Sequence, residues 1–319
     1  MTKRRRRSVG LISALVLAAA LYGLWTPDIE RVELQRRYGS PTQHELNVDG
    51  LRVHYEDSGP PDAPVLLLLH GFGSSLQTWD PWAADLSIKF RVIRPDLPGF
   101  GLTGEVSSKD YSEQQDVATL RHFVNQLGVS HFSIVGHSLG GKIAWALAAD
   151  EPDRVDALVL MAPDGFAPPE QWGTKPYEVP AVMRLMKYCL PEYFVRQALD
   201  SAFFDPQWLT QSMVDRYYDM LRAPGVRAAI LDRAQQTVYS DPMPRLKQIK
   251  APTLLLWGEH DAMIPSSNAQ SYAAVLGQSQ TVVLPRLGHV IQEEQPKVGL
   301  ASVDEFLTAQ LLPKRAPAR

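Results

Sequence analysis

The chain has 319 residues, 45% of them hydrophobic, and a formal net charge of −3. That size suits one large α/β domain or a domain carrying an insertion, and a body without a basic patch argues against nucleic acid as a partner. The single cysteine, Cys189, excludes an intrachain disulfide and any CxxC metal or redox motif.

The N-terminus departs from this mild acidity. Lys3 and Arg4 to Arg7 form a cationic run, and removing those five charges takes the rest of the chain from −3 to −8. Val9 to Trp25 follows without a charge. As a helix it would reach roughly 25 Å, close to the hydrocarbon thickness of a bilayer. With positive charge before it, this segment (1–25) reads as an uncleaved anchor in a bacterial inner membrane, with Tyr22 and Trp25 at the far interface and the remaining chain on the periplasmic side. The rival reading is a signal peptide cut at Ala18-Ala19-Ala20, which would leave a secreted or periplasmic protein. Residues 26–44 read as a charged, partly helical linker.

From Glu45 the pattern changes. Glu45 to Val48 and Leu51 to Glu56 alternate around Asp49-Gly50, which predicts a β-hairpin with one half-buried face. Pro64 to His70 is a continuous apolar run, as in a strand buried on both faces of a parallel sheet. Trp82 to Ile88 predicts a short helix, Phe90 to Asp96 a strand, and Tyr111 to Leu127 a helix ended by Gly128. His131 to Gly136 is the next strand, Ser138 to about Glu151 a helix rich in small residues, and Val155 to Met161 another strand. Strands alternating with helices indicate βαβ units.

The alternation breaks between residues 168 and 247. This stretch holds helix-like pieces separated by prolines and crowded with aromatics and methionines, from Met183 to Met220. It reads as an inserted helical cap. Most of these side chains should form the cap's own core, and the remainder is expected to line an apolar substrate slot. The sheet pattern resumes at Pro252 to Gly258, then a helix from Asn268 to Leu276, a strand at Gln280 to Leu284 and a last helix from Gln295 to Leu312. The core therefore spans 45–167 and 248–312, with a tail at 313–319.

Between the strand at 131–136 and the helix after it stands Gly136-His137-Ser138-Leu139-Gly140. Gly-x-Ser-x-Gly on a strand-to-helix turn describes a nucleophile elbow, in which the serine stands on a sharp, strained bend. A serine hydroxyl needs a base within hydrogen-bond reach, and the base needs a carboxylate to hold its tautomer. The loops after the two final strands supply both. Asp261 in Gly258-Glu259-His260-Asp261 is the expected acid, with Glu259 and Asp164 as alternatives. His289 in Leu287-Gly288-His289 is the expected base. The oxyanion donors are expected to be the backbone N–H groups of Leu139 and Phe72, the latter in His70-Gly71-Phe72-Gly73. His70 is expected to anchor that loop and His137 to pack under the elbow. Losing one oxyanion donor costs about 3 kcal/mol of transition-state stabilisation. Without HxH, HExxH or paired cysteines, no metal or cofactor site is expected.

Together with Asp96-Leu97-Pro98-Gly99-Phe100-Gly101, these landmarks resemble the α/β-hydrolase fold family over roughly residues 45–312, most of all its membrane-tethered bacterial serine carboxylesterases and lipases. The resemblance implies a mostly parallel eight-stranded sheet with helices on both faces and a helical cap. It also implies hydrolysis of a small hydrophobic acyl ester through an acyl-enzyme on Ser138. Haloalkane dehalogenases and epoxide hydrolases place an aspartate at the elbow, unlike Ser138. The carbon–carbon hydrolases of aromatic degradation usually carry Asn before the serine and a Gly-Pro-Gly loop, where this chain has His137 and Phe72-Gly73-Ser74. Carbon–carbon or thioester hydrolysis on the same residues remains an alternative. A non-catalytic binding protein is a third reading, although such proteins usually lose a triad member and none is missing here.

Overall fold

The computed structural model describes residues 25–167, 173, 176 and 178–313. In chain order the first elements are α1 (Arg31–Tyr38), β1 (Gln43–Val48), β2 (Leu51–Ser58), β3 (Val65–Leu69), α2 (Asp80–Leu86), β4 (Arg91–Pro95) and α3 (Glu113–Gln126). Next come β5 (Phe132–His137), α4 (Leu139–Asp150) and β6 (Val155–Met161). The cap inserts here with α5 (Glu192–Ala202), α6 (Gln211–Leu221), α7 (Val226–Gln236) and α8 (Met243–Leu246). The chain ends with β7 (Thr253–Gly258), α9 (Asn268–Ala273), β8 (Ser279–Leu284), α10 (Ile291–Glu294) and α11 (Pro296–Leu311).

The strands form one eight-stranded sheet in the order β1-β2-β4-β3-β5-β6-β7-β8. β2 runs antiparallel to both β1 and β4, and the remaining neighbours are parallel. The hairpin forms as expected, with Asp49 at φ 51 and Gly50 at φ 87 in a two-residue turn. The apolar run of β3 is buried on both faces because its side chains alternate between two cores. Leu67 and Leu69 join Phe123, Trp145 and Leu147 on the α3–α4 side. Leu66 and Leu68 join Trp82, Val303 and Phe306 on the α2–α11 side.

Every parallel strand ends at the same edge, so the loops after β3, β5, β6, β7 and β8 converge there. The cap lies over that edge with a small core of its own, including Val195, Leu199, Val214 and Tyr217.

The segment read as a linker is fixed to the cap. Thr26 N donates to Tyr188 O and Ile29 N to Arg222 O, both at 2.8 Å. Leu34 of α1 is fully buried. One expectation is corrected here. The placement in a bacterial inner membrane rested on an apolar anchor, yet among the described residues no helix is long and apolar enough to cross a membrane. Residues 1–24, which carried that reading and the signal-peptide alternative, lie outside the described residues. Trp25, expected at a bilayer interface, instead stacks on Tyr188 of the cap with ring centroids 5.8 Å apart.

Candidate active site

Ser138 is the single residue between β5 and α4, and it sits at φ 53, ψ −118. A side chain at positive φ is strained and persists only where the surroundings over-determine it. Here they do. Ser138 N donates to Met161 O at the end of β6 (3.0 Å), while Ser138 O accepts from Lys142 N (3.0 Å) and Asp164 N (3.1 Å). The first turn of α4 presses on the end of β3, where a Cβ on Gly140 would come within 2.3 Å of Leu69 O and 2.5 Å of His70 O. Only glycine permits that approach. The Ser138 hydroxyl makes no capping hydrogen bond to α4, so it is not consumed by the helix it opens.

Leu139 is the first residue of α4, and its N–H is one of the helix's uncommitted amino-terminal amides. Phe72 follows β3 and packs edge-on against Phe100, with centroids 5.5 Å apart. His70 splints this loop. Its Nε2 accepts from Leu97 N at 3.0 Å, which leaves Nδ1–H to donate to Gly71 O at 2.8 Å. Burial holds its pKa below the ordinary histidine value, consistent with a neutral ring committed to two backbone groups.

His289, on the loop after β8, shares a 2.7 Å hydrogen bond between its Nδ1 and Asp261 Oδ2. The other oxygen of Asp261 accepts from Met263 N and Ile264 N, both at 2.8 Å, so the carboxylate is fixed from behind. Of the three candidate acids, Asp261 is the one that meets the histidine. Glu259 is exposed and lies 3.6 Å from His260. Asp164 follows β6 and lines the cleft instead.

His137 joins the serine side to the histidine side. Its Nε2 bonds to His289 O at 2.9 Å, and its ring centroid lies 4.6 Å from that of His289. Its Nδ1 faces Gln292 Nε2 at 3.4 Å. The Nε2–H tautomer satisfies both contacts. Burial, with the nearby charge of His289 adding to it, pushes its pKa well below the ordinary value.

A cleft of about 1440 Å³ opens in front of Ser138 and Leu139. Phe72, Ile143, Phe166, Val238, Met263 and Ile264 give it apolar walls. Its ionic lining is three carboxylates (Glu113, Asp116 and Asp164) against two cations (Lys142 and Arg233). Both cations already have acidic partners. Arg233 is bidentate to Asp116 at 2.5 and 3.0 Å, and Lys142 lies 3.5 Å from Glu113.

Of the cap's described aromatic and methionine side chains, Tyr239 lines the cleft, but the crowd singled out in the sequence does not. None of those from Met183 to Met220 lines the cleft, whose cap wall runs instead from Arg233 to Ser240. Phe203, Tyr217 and Met220 are buried, while Tyr188, Tyr193, Phe194 and Trp208 face outward. Hydrophobicity marks a side chain for burial without giving its direction.

Sequence reasoning also passed over three linked residues, Gln292, Glu293 and Glu294, which are all buried. Two consecutive acids one turn after Gly288-His289 were the available signal. Asp96 was recognised only as part of a motif. It accepts from Leu76 N and Leu102 N and pairs with His54 Nδ1, each at 2.8 Å. Burial alone would raise its pKa, but the hydrogen bond and charge of His54, with His70 and the Leu76 amide, outweigh this and lower it.

Among the described residues no cluster of three His, Cys, Asp or Glu side chains is arranged to hold a metal ion.

Comparison with known proteins bears on the family and the fold. A family model for the alpha/beta hydrolase fold matches residues 64–296. The chain is 29% identical over 262 residues to the 2-hydroxy-6-oxo-6-phenylhexa-2,4-dienoate hydrolase of Burkholderia cepacia, covering 79% of this chain and 90% of that one. Among solved structures it is similar to a bacterial membrane phospholipase A, with a TM-score of 0.73 and 27% identity over 97% of this chain and 100% of that chain. It is also similar to a meta-cleavage product hydrolase from Pseudomonas fluorescens, with a TM-score of 0.71 and 25% identity over 83% and 97% of the two chains.

Proposed function

Because the chain belongs to the α/β-hydrolase fold family and is a hydrolase, we propose that it cleaves neutral carboxylic esters of small hydrophobic acyl groups through an acyl-enzyme on Ser138. One observation carries the reading. A strained serine faces an apolar-walled cleft, and the residue before it holds the backbone of a histidine already paired with a buried aspartate.

In this reading Ser138 Oγ attacks the acyl carbonyl while His289 Nε2 takes its proton, and Asp261 stabilises the imidazolium. The amides of Phe72 and Leu139 hold the oxyanion. His289 then gives the proton to the leaving alkoxide as the C–O bond breaks. Water, deprotonated by the same ring, releases the acid and restores the serine hydroxyl.

The dienoate hydrolase relative favours a second reading, carbon–carbon cleavage of an anionic substrate. The charge of the cleft argues against it. Three carboxylates line the cleft, and both cations are already partnered, so a substrate carboxylate would meet no uncommitted positive charge among the described lining residues. A neutral ester avoids that conflict.

The test compares wild type and Ser138→Ala on p-nitrophenyl acetate, butyrate and octanoate, with a 2-hydroxy-6-oxodienoate as control. Wild type is expected to hydrolyse the esters in preference to the dienoate, and Ser138→Ala to lose about 10⁴-fold or more in kcat. Ester hydrolysis that survives in Ser138→Ala rejects the acyl-enzyme, and a preference for the dienoate transfers the reading to carbon–carbon cleavage.

A further inference from the structure

Gly288-His289-Val290-Ile291-Gln292-Glu293-Glu294 places two acids one turn beyond the histidine. Both are buried, Glu293 to 4% exposure and Glu294 to 1%. A buried carboxylate must find donors. Glu293 finds them on side chains: Arg216 at 2.5 Å, Tyr217 at 2.9 Å and the Thr78 hydroxyl. Glu294 is different, because its partners are all backbone N–H groups and, among the described residues, no cation pairs with it.

Those amides come from two parts of the fold. Glu294 Oε2 accepts from Gly288 N at 2.7 Å, the residue immediately before the histidine. Its Oε1 accepts from Phe204 N at 2.9 Å and Asp205 N at 3.0 Å, just beyond α5 of the cap. The seam they share is tight. His289 N donates directly to Ala202 O at 2.7 Å, and a Cβ on Gly288 would fall 2.5 Å from that same oxygen and 2.7 Å from Phe204 N. One carboxylate thus holds cap and histidine loop in a single arrangement.

We infer that Glu294 is a positioning residue that locks His289 to the seated cap, so that the imidazole is aimed at Ser138 by the cap as well as by Asp261. Glu294 touches no substrate and acts through His289. The inference rests on the acyl-transfer reading of Ser138, His289 and Asp261.

Glu294→Gln keeps the shape but turns an amide NH2 toward one set of N–H donors, which breaks half of the clamp. Glu294→Asp keeps two acceptor oxygens on a shorter arm. The readouts are the second-order rate of Ser138 labelling by a fluorophosphonate, and kcat and KM for p-nitrophenyl butyrate. Each is expressed per folded molecule, with folding followed by near-ultraviolet circular dichroism.

Misplacing a catalytic group by an ångström costs about 10²-fold. Glu294→Gln should therefore lower the labelling rate and kcat by about 10- to 100-fold, with KM within about threefold and Glu294→Asp in between. Rates per folded molecule within about threefold of wild type in Glu294→Gln would overturn the inference and leave Glu294 a structural carboxylate. Should Glu294→Gln not fold, Glu294→Asp decides by the same measurements. Wild type that resists the fluorophosphonate, or label that persists in Ser138→Ala, removes the acyl-transfer reading and this inference with it. Normal wild-type labelling with equal rates in the Glu294 variants removes the inference alone.

Discussion

The core wall of the cleft and the cap that covers it are held in place differently. On the core wall the fixing contacts are backbone: both main-chain groups of Ser138, the close approach of Gly140 to Leu69 and His70, and a His70 ring bridging Gly71 and Leu97. The cap, beside its backbone contacts to Thr26, Ile29 and His289, is tied to the rest of the chain by side-chain charge pairs. Arg233 grips Asp116, Arg216 grips Glu293, Arg227 grips Asp28, and Arg37 with Tyr38 grips Asp219. The glycines and the histidine that permit these contacts stand in short motifs, even where the contact itself is long-range, as between Gly140 and Leu69. These charge pairs join positions between 77 and 199 apart.

The largest expected effect tests the cap wall. Arg233 and Asp116 are nearly fully buried, and Arg233 also donates to Pro98 O and Tyr111 O. Removing one partner of a buried ion pair leaves an uncompensated charge. Arg233→Ala should therefore cost about 3–5 kcal/mol in urea unfolding. Replacing both residues with apolar ones of similar volume, as in Arg233→Met with Asp116→Leu, should recover most of that loss. A cost below about 1 kcal/mol for Arg233→Ala would mean that shape, not charge, seats the cap.

Next in size is a test of the core wall. Gly140→Ala drives a methyl against two backbone carbonyls that cannot step aside. Overpacking of this kind costs about 1–3 kcal/mol in stability. Fluorophosphonate labelling should fall further than stability does, because α4 carries the Leu139 amide and closes the turn at Ser138. A variant that loses stability but labels at the wild-type rate would show that the elbow tolerates movement of its helix, and would break the contrast between the walls.

The contrast also explains what could be read in advance. Ser138, Phe72, Leu139, Asp261 and His289 each follow a strand, and a turn after a strand writes its needs into neighbouring residues: glycines, a proline, a polar tip. Such signals survive in one sequence. The order of the loops placed the acid after β7, position within that loop favoured Asp261 over Glu259, and the 2.7 Å contact to His289 falls on Asp261. In the cap, Arg216, Arg227 and Arg233 look like ordinary surface residues of amphipathic helices, because the charge that completes each lies in a distant segment. The residues of α1 read as a linker for the same reason, since Arg37 and Tyr38 meet Asp219 only after folding. The placement of Trp25 failed differently. Hydropathy sees an apolar ring and cannot tell a bilayer interface from a face of Tyr188.

The smallest effect reads the core wall by pH. His70 and His137 both serve the core wall as neutral rings bonded to backbone, and burial holds each below the ordinary value of 6.5. A depressed folded value means that the unfolded chain takes up the proton first. The contribution of these rings to stability is therefore complete above about pH 6.5 and is lost as the pH falls below it. Between pH 7 and 5 the contribution of these two rings to the core wall should therefore fall. The loss is read as a Tm that falls as the pH drops below about 6.5. His137→Gln retains a donor for His289 O but has no proton to gain, so its Tm should decline less steeply than that of wild type over this range. Parallel wild-type and His137→Gln profiles would show that His137 does not drive the acid loss, leaving His70 as the ring that links the core wall to pH.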